Sequence, residues 1–215
     1  AAGSILAAIM LVSAPAQATL ILTLSDGTDT VTRTDIGDSG AVLFVGSVGD
    51  WVLNITLGVS DPLIGDANTT RLDLSSLNVT GRSNGGGTLV ISLTDTDNDV
   101  PLGLTSFNLA AGGTTDGSIA FQSYVDADNN PFGTGTLLYD TGILSGGAFS
   151  TTGFGGVDLN GPYSVTTVAT IRHANGGALT GFNHSIEIPE PAILALFGVA
   201  LLGLSIALRT RSRES

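Results

Sequence analysis

Apolar and polar residues alternate at every second position along most of this chain, and that period builds strands rather than helices. Leu20, Leu22 and Leu24 share one face of a short run. Leu72 and Leu74 alternate with Arg71 and Asp73, and Leu89, Ile91 and Leu93 repeat the pattern. Ile119 with Phe121, then Tyr163, Val165, Thr167, Ala169 and Ile171, continue it, and Phe182, His184, Ile186 and Ile188 close it. In Trp51 to Leu57 the same rule puts Trp51, Leu53, Ile55 and Leu57 on one face. Thr, Val and Ile fill these runs, as half-buried strands require.

Clusters of Gly, Asn and Asp separate the runs: Ser83 to Gly87, Gly112-Gly113, Asp126 to Asn130 and Ser145 to Gly147. Such residues supply turns, through positive φ at Gly and side-chain bonds to the backbone at Asn and Asp. No amphipathic helix is legible between the two ends of the chain. The expected fold is all-β: a β-sandwich of about ten short strands, jelly-roll-like, over residues 19–186. The Gly-rich stretch Gly142 to Gly156 reads as a long loop, and Glu187 to Pro191 as a stalk.

Charge narrows the partners. The chain carries 19 acids against seven basic residues, for a formal net charge of −12. All seven basic residues are arginine, and three sit in the last seven positions, so the expected sandwich is more acidic still. Such a body does not attract nucleic acid or an anionic lipid surface by charge. There is no cysteine, which removes disulfides, thiolate catalysis and Cys-based metal sites.

The ends of the chain are different in kind. Pro189-Glu190-Pro191 is followed by an apolar run, residues 192–208, and then by Arg209, Arg211 and Arg213. As a helix the run spans roughly 25 Å, just short of a ~30 Å hydrocarbon core, a gap that local thinning or snorkelling of Arg209 closes. The arginines hold their end in the cytoplasm and place the rest of the chain outside. Pro191 suits a first helical position, and Glu190 sits near the positive end of the helix dipole. At the other end an apolar stretch from Ile5 to Ser13 precedes Ala16-Gln17-Ala18, the small-x-small form of a signal-peptidase site. Residues 1–18 therefore read as a signal peptide cut after Ala18, its first residues missing because neither Met nor a basic segment precedes it.

This three-part tail resembles the PEP-CTERM sorting signal of Gram-negative bacteria. Pro189, Glu190 and Pro191 correspond to its triplet, residues 192–208 to its transmembrane helix and Arg209 to Arg213 to its basic end. The resemblance implies recognition and processing near the triplet by exosortase, a membrane enzyme. It also implies a setting of exopolysaccharide and biofilm. Two further segments, Gly49 to Thr56 and Leu89 to Asp97, are similar to pieces of other ectodomains in that family and carry no chemistry of their own. The sorting signal as a whole is placed at residues 187–215.

Two acidic segments are the only candidate ion sites. Asp95, Asp97 and Asp99 stand at alternate positions, and Asp126, Asp128 and Asn130 repeat the spacing. Oxygen ligands so spaced in a tight loop suit calcium. Neither segment is an EF-hand, since Pro131 and Val100 stand where the turn glycine belongs. The competing reading is a hairpin turn whose carboxylates accept backbone N–H bonds.

Enzyme signatures are weak. Gly37-Asp38-Ser39-Gly40 resembles the nucleophile segment of chymotrypsin-like proteases, but no histidine precedes it, the first being His173. A turn ahead of the strand beginning at Ala41 explains it as well. His173 and His184 are the only histidines and lie apart in sequence, and His184 shares a face with Phe182 and Ile186. No pair of carboxylates stands out as a glycosidase dyad. The sequence thus points to an exported, non-enzymatic surface or extracellular-matrix protein whose partners are signal peptidase, exosortase and the membrane. The alternatives are a polysaccharide-binding module, calcium-dependent or not, with Tyr124 and Tyr139 as surface rings, and more remotely a secreted hydrolase.

Overall fold

The computed structural model describes residues 19–60, 63–64, 70–81, 86–99 and 103–188. Among them all regular structure is strand. In chain order the strands are β1 (Leu20–Ser25), β2 (Thr30–Thr34), β3 (Ala41–Val48), β4 (Trp51–Val59), β5 (Arg71–Gly81) and β6 (Gly87–Asn98). They continue with β7 (Gly103–Asp126), β8 (Thr136–Asp140), β9 (Leu144–Leu159), β10 (Tyr163–His173) and β11 (Leu179–Glu187).

The strands form one antiparallel ladder in the order β2-β1-β6-β10-β7-β11-β5-β4-β3, with β8 and β9 also paired to β7. β7 turns this ladder into two layers. Its first half pairs β11 from Asn108 to Thr115, and its second half pairs β10 from Ser118 to Asp126. Between the halves the register against β9 slips, at Asp116-Gly117. A Cβ on Gly117 would run into the carbonyl of Arg172, so only glycine lets β10 pass this close to the bend. The sheet folds over at that point until β1 and β2 come back against β3 and it is nearly closed.

Alternation decides what fills the space between the layers. Leu20, Leu22, Leu24, Leu89, Ile91, Leu93 and Ile171 are buried from one layer, and Leu72, Leu74, Phe182 and Ile186 from the other. Phe121 sits among rings: stacked on His184 at 5.0 Å, edge-on to Phe182 at 5.2 Å and tilted against Phe149 at 6.2 Å. Hydroxyls that alternation also turns inward are satisfied by directly opposed partners. Thr94 faces Thr166 at 2.9 Å, Thr56 faces Ser76 at 2.8 Å and Thr115 faces Thr180 at 2.7 Å. Each of these couples is a cross-strand rung of the ladder.

The expected all-β fold is therefore present, with four corrections. First, the stretch read as a loop from Gly142 to Gly156 is mostly β9, held along almost its whole length by β7. Its glycines hid the alternation of Phe149 and Thr151 with Ser150, Thr152 and Phe154. Secondly, not all strands are short: β7 has 24 residues. Thirdly, the inward face of β4 switches after Leu53, so Thr56 is buried while Ile55 is exposed. The switch is matched across the rung on β5, where Leu77 is exposed beside Asn78, whose φ is 53°. Lastly, the stalk cannot begin at Glu187, which is the last residue of β11. Ile188 is buried, and its N–H donates to the carbonyl of Thr70 at 3.1 Å.

Candidate functional site

The two acidic segments meet at one end of the sandwich, joined by hydrogen bonds of the Asn129 side-chain amide. β6 runs through to Asn98, so Asp95 and Asp97 belong to a strand end and not to a free loop. Asp95 is fully buried, Asp97 half-buried and Asp99 exposed, which spreads the three carboxylates over different environments. The Asn129 amide donates to Asp97 Oδ1 at 2.7 Å, and the Asp97 N–H donates to Asn129 Oδ1 at 2.8 Å. Asp126 accepts from the N–H groups of Asp128 and Asn130 and from the Asn130 amide. Burial pushes the Asp126 carboxyl up, but these bonds from Asn130 and Asp128 outweigh it and leave its pKa below the ordinary value. Asp128 and Asn130 are exposed, the Asn130 amide being turned back onto Asp126.

Among the described residues no three His, Cys, Asp or Glu side chains gather where they could hold a metal ion. What the arrangement does is lock the end of β6 to the loop that follows β7. Asn129→Ala should therefore lower stability by about 1–3 kcal/mol, by removing a reciprocal pair of hydrogen bonds. A chelator should leave the melting temperature of the parent chain unchanged. A clear rise in that temperature on adding calcium would restore the ion-site reading.

Both histidines are occupied within the fold. His173 is buried, with Nε2 at 2.8 Å from Thr180 Oγ1 and its ring tilted on Trp51 at 4.9 Å; burial pulls its pKa down. The His184 ring nitrogens lie 3.1 Å from Thr167 Oγ1 and 3.3 Å from Ser123 Oγ. The segment Gly37 to Gly40 forms a turn around Asp35, whose carboxylate accepts from the N–H groups of Gly37 and Gly40 and from Ser39 Oγ.

The outer face of β9, β7 and β11 holds an open depression of about 650 Å³. Register aligns its side chains in rows. Phe154 lies opposite Asn108, and Asn108 opposite Glu187. The next row is Thr152, Ala110 and Ser185, whose small side chains form the floor. Phe154 is 83% exposed. Tyr139 borders the depression from the other face of β9, the face to which Thr151 and Gly153 belong. Its hydroxyl donates to the carbonyl of Thr152 at 3.0 Å and lies 2.9 Å from Thr151 Oγ1, and its ring covers Gly153. A Cβ on Gly153 would run into that ring, so the residue must be glycine for Tyr139 to lie there. Beyond Ser185, on β5, Asp73 is half-buried; burial raises its pKa against the opposing pull of the Asn183 hydrogen bond and the Arg71 charge.

Of the residues read from sequence, Tyr139 reaches this depression; Phe154, Asn108 and Glu187 were missed. Phe154 lies in the stretch that reads from sequence as a loop, and Glu187 in the one that reads as a stalk. The alternation Ser150, Thr152, Phe154 was the available signal.

The sorting triplet Pro189, Glu190 and Pro191, the apolar run 192–208, Arg209, Arg211 and Arg213 lie outside the described residues, as do Ala16 and Ala18. Among the described residues no helix is long and apolar enough to cross a membrane. Comparison with known proteins decides the tail. Residues 187–212 match the PEP-CTERM protein-sorting motif. The matched segment takes in the triplet, the apolar run, Arg209 and Arg211. A PEP-CTERM motif implies an exported protein, anchored transiently in the membrane and processed by exosortase.

No curated protein matches the chain. Among solved structures, TmCBM61 in complex with beta-1,4-galactotriose is 9% identical, with 66% of this chain and 88% of that chain covered and a TM-score of 0.31. The K1 cleaved adhesin domain of Lys-gingipain from Porphyromonas gingivalis W83 is 10% identical, covers 70% and 98%, and scores 0.33. Infectious bursal disease virus, Gx strain, is 12% identical, covers 86% and 53%, and scores 0.26. Likeness this slight carries no activity across.

Proposed function

We propose that this chain is a non-enzymatic component of the cell surface or extracellular matrix, delivered by its PEP-CTERM tail to an envelope or biofilm rich in exopolysaccharide. The observation that carries the reading is the match over residues 187–212, in which a proline-flanked carboxylate, a membrane-length apolar run and arginines occur in that order. The signal peptide delivers the chain to the export machinery. The apolar run halts in the inner membrane, with its arginines on the cytoplasmic side. Exosortase acts near Pro189 to Pro191. β11 ends at Glu187 and Ile188 is packed into the fold, so the sandwich reaches the residue that precedes the triplet. Both histidines are buried against hydroxyl partners, which supports a displayed module over a hydrolase.

The test is the intact mass and location of the full chain in its host, with and without exosortase. The expected result is loss of the tail and release from the membrane only when the enzyme is present. Replacing Pro189, Glu190 and Pro191 together by alanine should leave the uncut chain in the membrane. A tail still attached in both strains would make it a plain anchor and remove the biofilm reading. A second reading, polysaccharide binding, is favoured by the exposed ring of Phe154 on a sheet face lined by polar side chains.

A further inference from the structure

The β9–β7–β11 face combines features that select one kind of ligand. Phe154 holds a large apolar ring in solvent on a strand, where its backbone is fixed by pairing to β7. A buried core or a folding constraint does not account for that exposure. Exposed rings on rigid strands offer a flat π-face to the C–H groups of a sugar ring. The same row supplies Asn108 and Glu187, whose amide and carboxylate together donate and accept in the plane of a hydroxyl. Adjacent strands lie about 4.8 Å apart, so the row covers roughly 10 Å, the reach of a short stretch of sugar chain. The small floor of Thr152, Ala110 and Ser185 leaves room for that chain.

Charge selects within that class. Among the described residues Glu187 is the only charged side chain lining the depression, and the chain's net charge is −12. Arg71, across from Glu187 in register, does not line it. A uronic or sulfated polymer would be repelled at the site and by the whole protein, as would nucleic acid. A second copy of this acidic chain would be repelled for the same reason.

We infer that the Phe154–Asn108–Glu187 row and the depression beside it bind an uncharged polysaccharide, Phe154 stacking on a sugar ring and Asn108 and Glu187 bonding its hydroxyls. The inference rests on the reading of the chain as an exported surface protein and gives its sandwich a ligand class and a site.

The experiment is native affinity electrophoresis of the full chain in mild detergent, through gels containing dextran, laminarin or hydroxyethylcellulose, with alginate as the anionic comparison. Retardation by at least one neutral polymer and none by alginate is the expected result. Phe154→Ala should weaken that binding about tenfold, as loss of a central aromatic anchor does. Asn108→Ala should weaken it in the same direction. Ile143→Ser, at a residue 71% exposed and outside the depression, should bind as the parent does. Absence of retardation in all three neutral gels, undiminished binding by Phe154→Ala, or preference for alginate would each overturn the site. Mass and location of the parent chain in the host, set beside its own retardation, separate the two claims. A chain sorted normally but not retarded removes the glycan site alone; one retarded but not sorted removes the sorting reading alone.

Discussion

Phe121→Ala should lower the stability of the sandwich by about 3–5 kcal/mol, the usual cost of emptying a buried phenylalanine site. Phe121 is fully buried on the second half of β7, and its ring reaches across to the opposite layer: His184 and Phe182 on β11 and Phe149 on β9. Strands on both sides are held by backbone ladders, so the hole has little means of collapsing. A domain of this size holds only about 5–15 kcal/mol in all, so the variant should melt well below the parent or fail to accumulate. Phe121→Leu should recover most of the loss, because it refills most of the volume. Phe154→Ala supplies the contrast: the same substitution at an 83% exposed ring should leave the melting temperature almost unchanged. Thermal unfolding of the full chain in detergent, followed by circular dichroism, measures all three. Equal effects of Phe121→Ala and Phe154→Ala would refute the placement of the core.

That contrast also marks how far the sequence is legible. Phe121 is identifiable as core because Ile119 alternates with it in a run free of glycine. Phe154 carries no such signal, since Gly153, Gly155 and Gly156 surround it and a strand made of glycine looks like a loop. What makes β9 a strand is its partner: β7 offers a paired edge over nearly its whole length. The glycines then admit what a side chain would exclude, the Tyr139 ring at Gly153 and the backbone of Leu138 at Gly155. Such reasons are non-local and do not show in a period-2 pattern. The face switch at Ile55 fails for a related cause, because two neighbouring strands change face together. The tail was legible for the opposite reason: its physics is local, and its residue order alone brought the motif match.

His184 should make the protein acid-labile over a defined window. Burial pushes its pKa down to about 4, against 6.5 for an ordinary imidazole. The neutral ring stacks on Phe121, and with Thr167 and Ser123 beside its two nitrogens one nitrogen donates while the other accepts. Above pH 6.5 neither the folded nor the unfolded chain holds a proton on this ring, and the full stability is present. Between 6.5 and about 4 the unfolded chain takes up a proton that the folded chain refuses, so stability falls as the pH falls. Below about 4 both forms carry it and the loss is complete. The loss amounts to roughly 3 kcal/mol. His173, also pulled down by burial, acts in the same direction, whereas Asp73, pushed up by burial, takes its proton in the folded state first and offsets part of the fall. Asp126, whose pKa is lowered, loses its contribution only at more acid pH, below the His184 window. Melting temperature measured from pH 7 to pH 4 should therefore drop steadily for the parent chain. His184→Gln should start lower at pH 7, because its hydrogen bonds and ring stacking are poorer, and then decline much less steeply. A parent chain equally stable at pH 7 and pH 4.5, or a variant with the parent's slope, would show that His184 is not the buried neutral base the structure makes it.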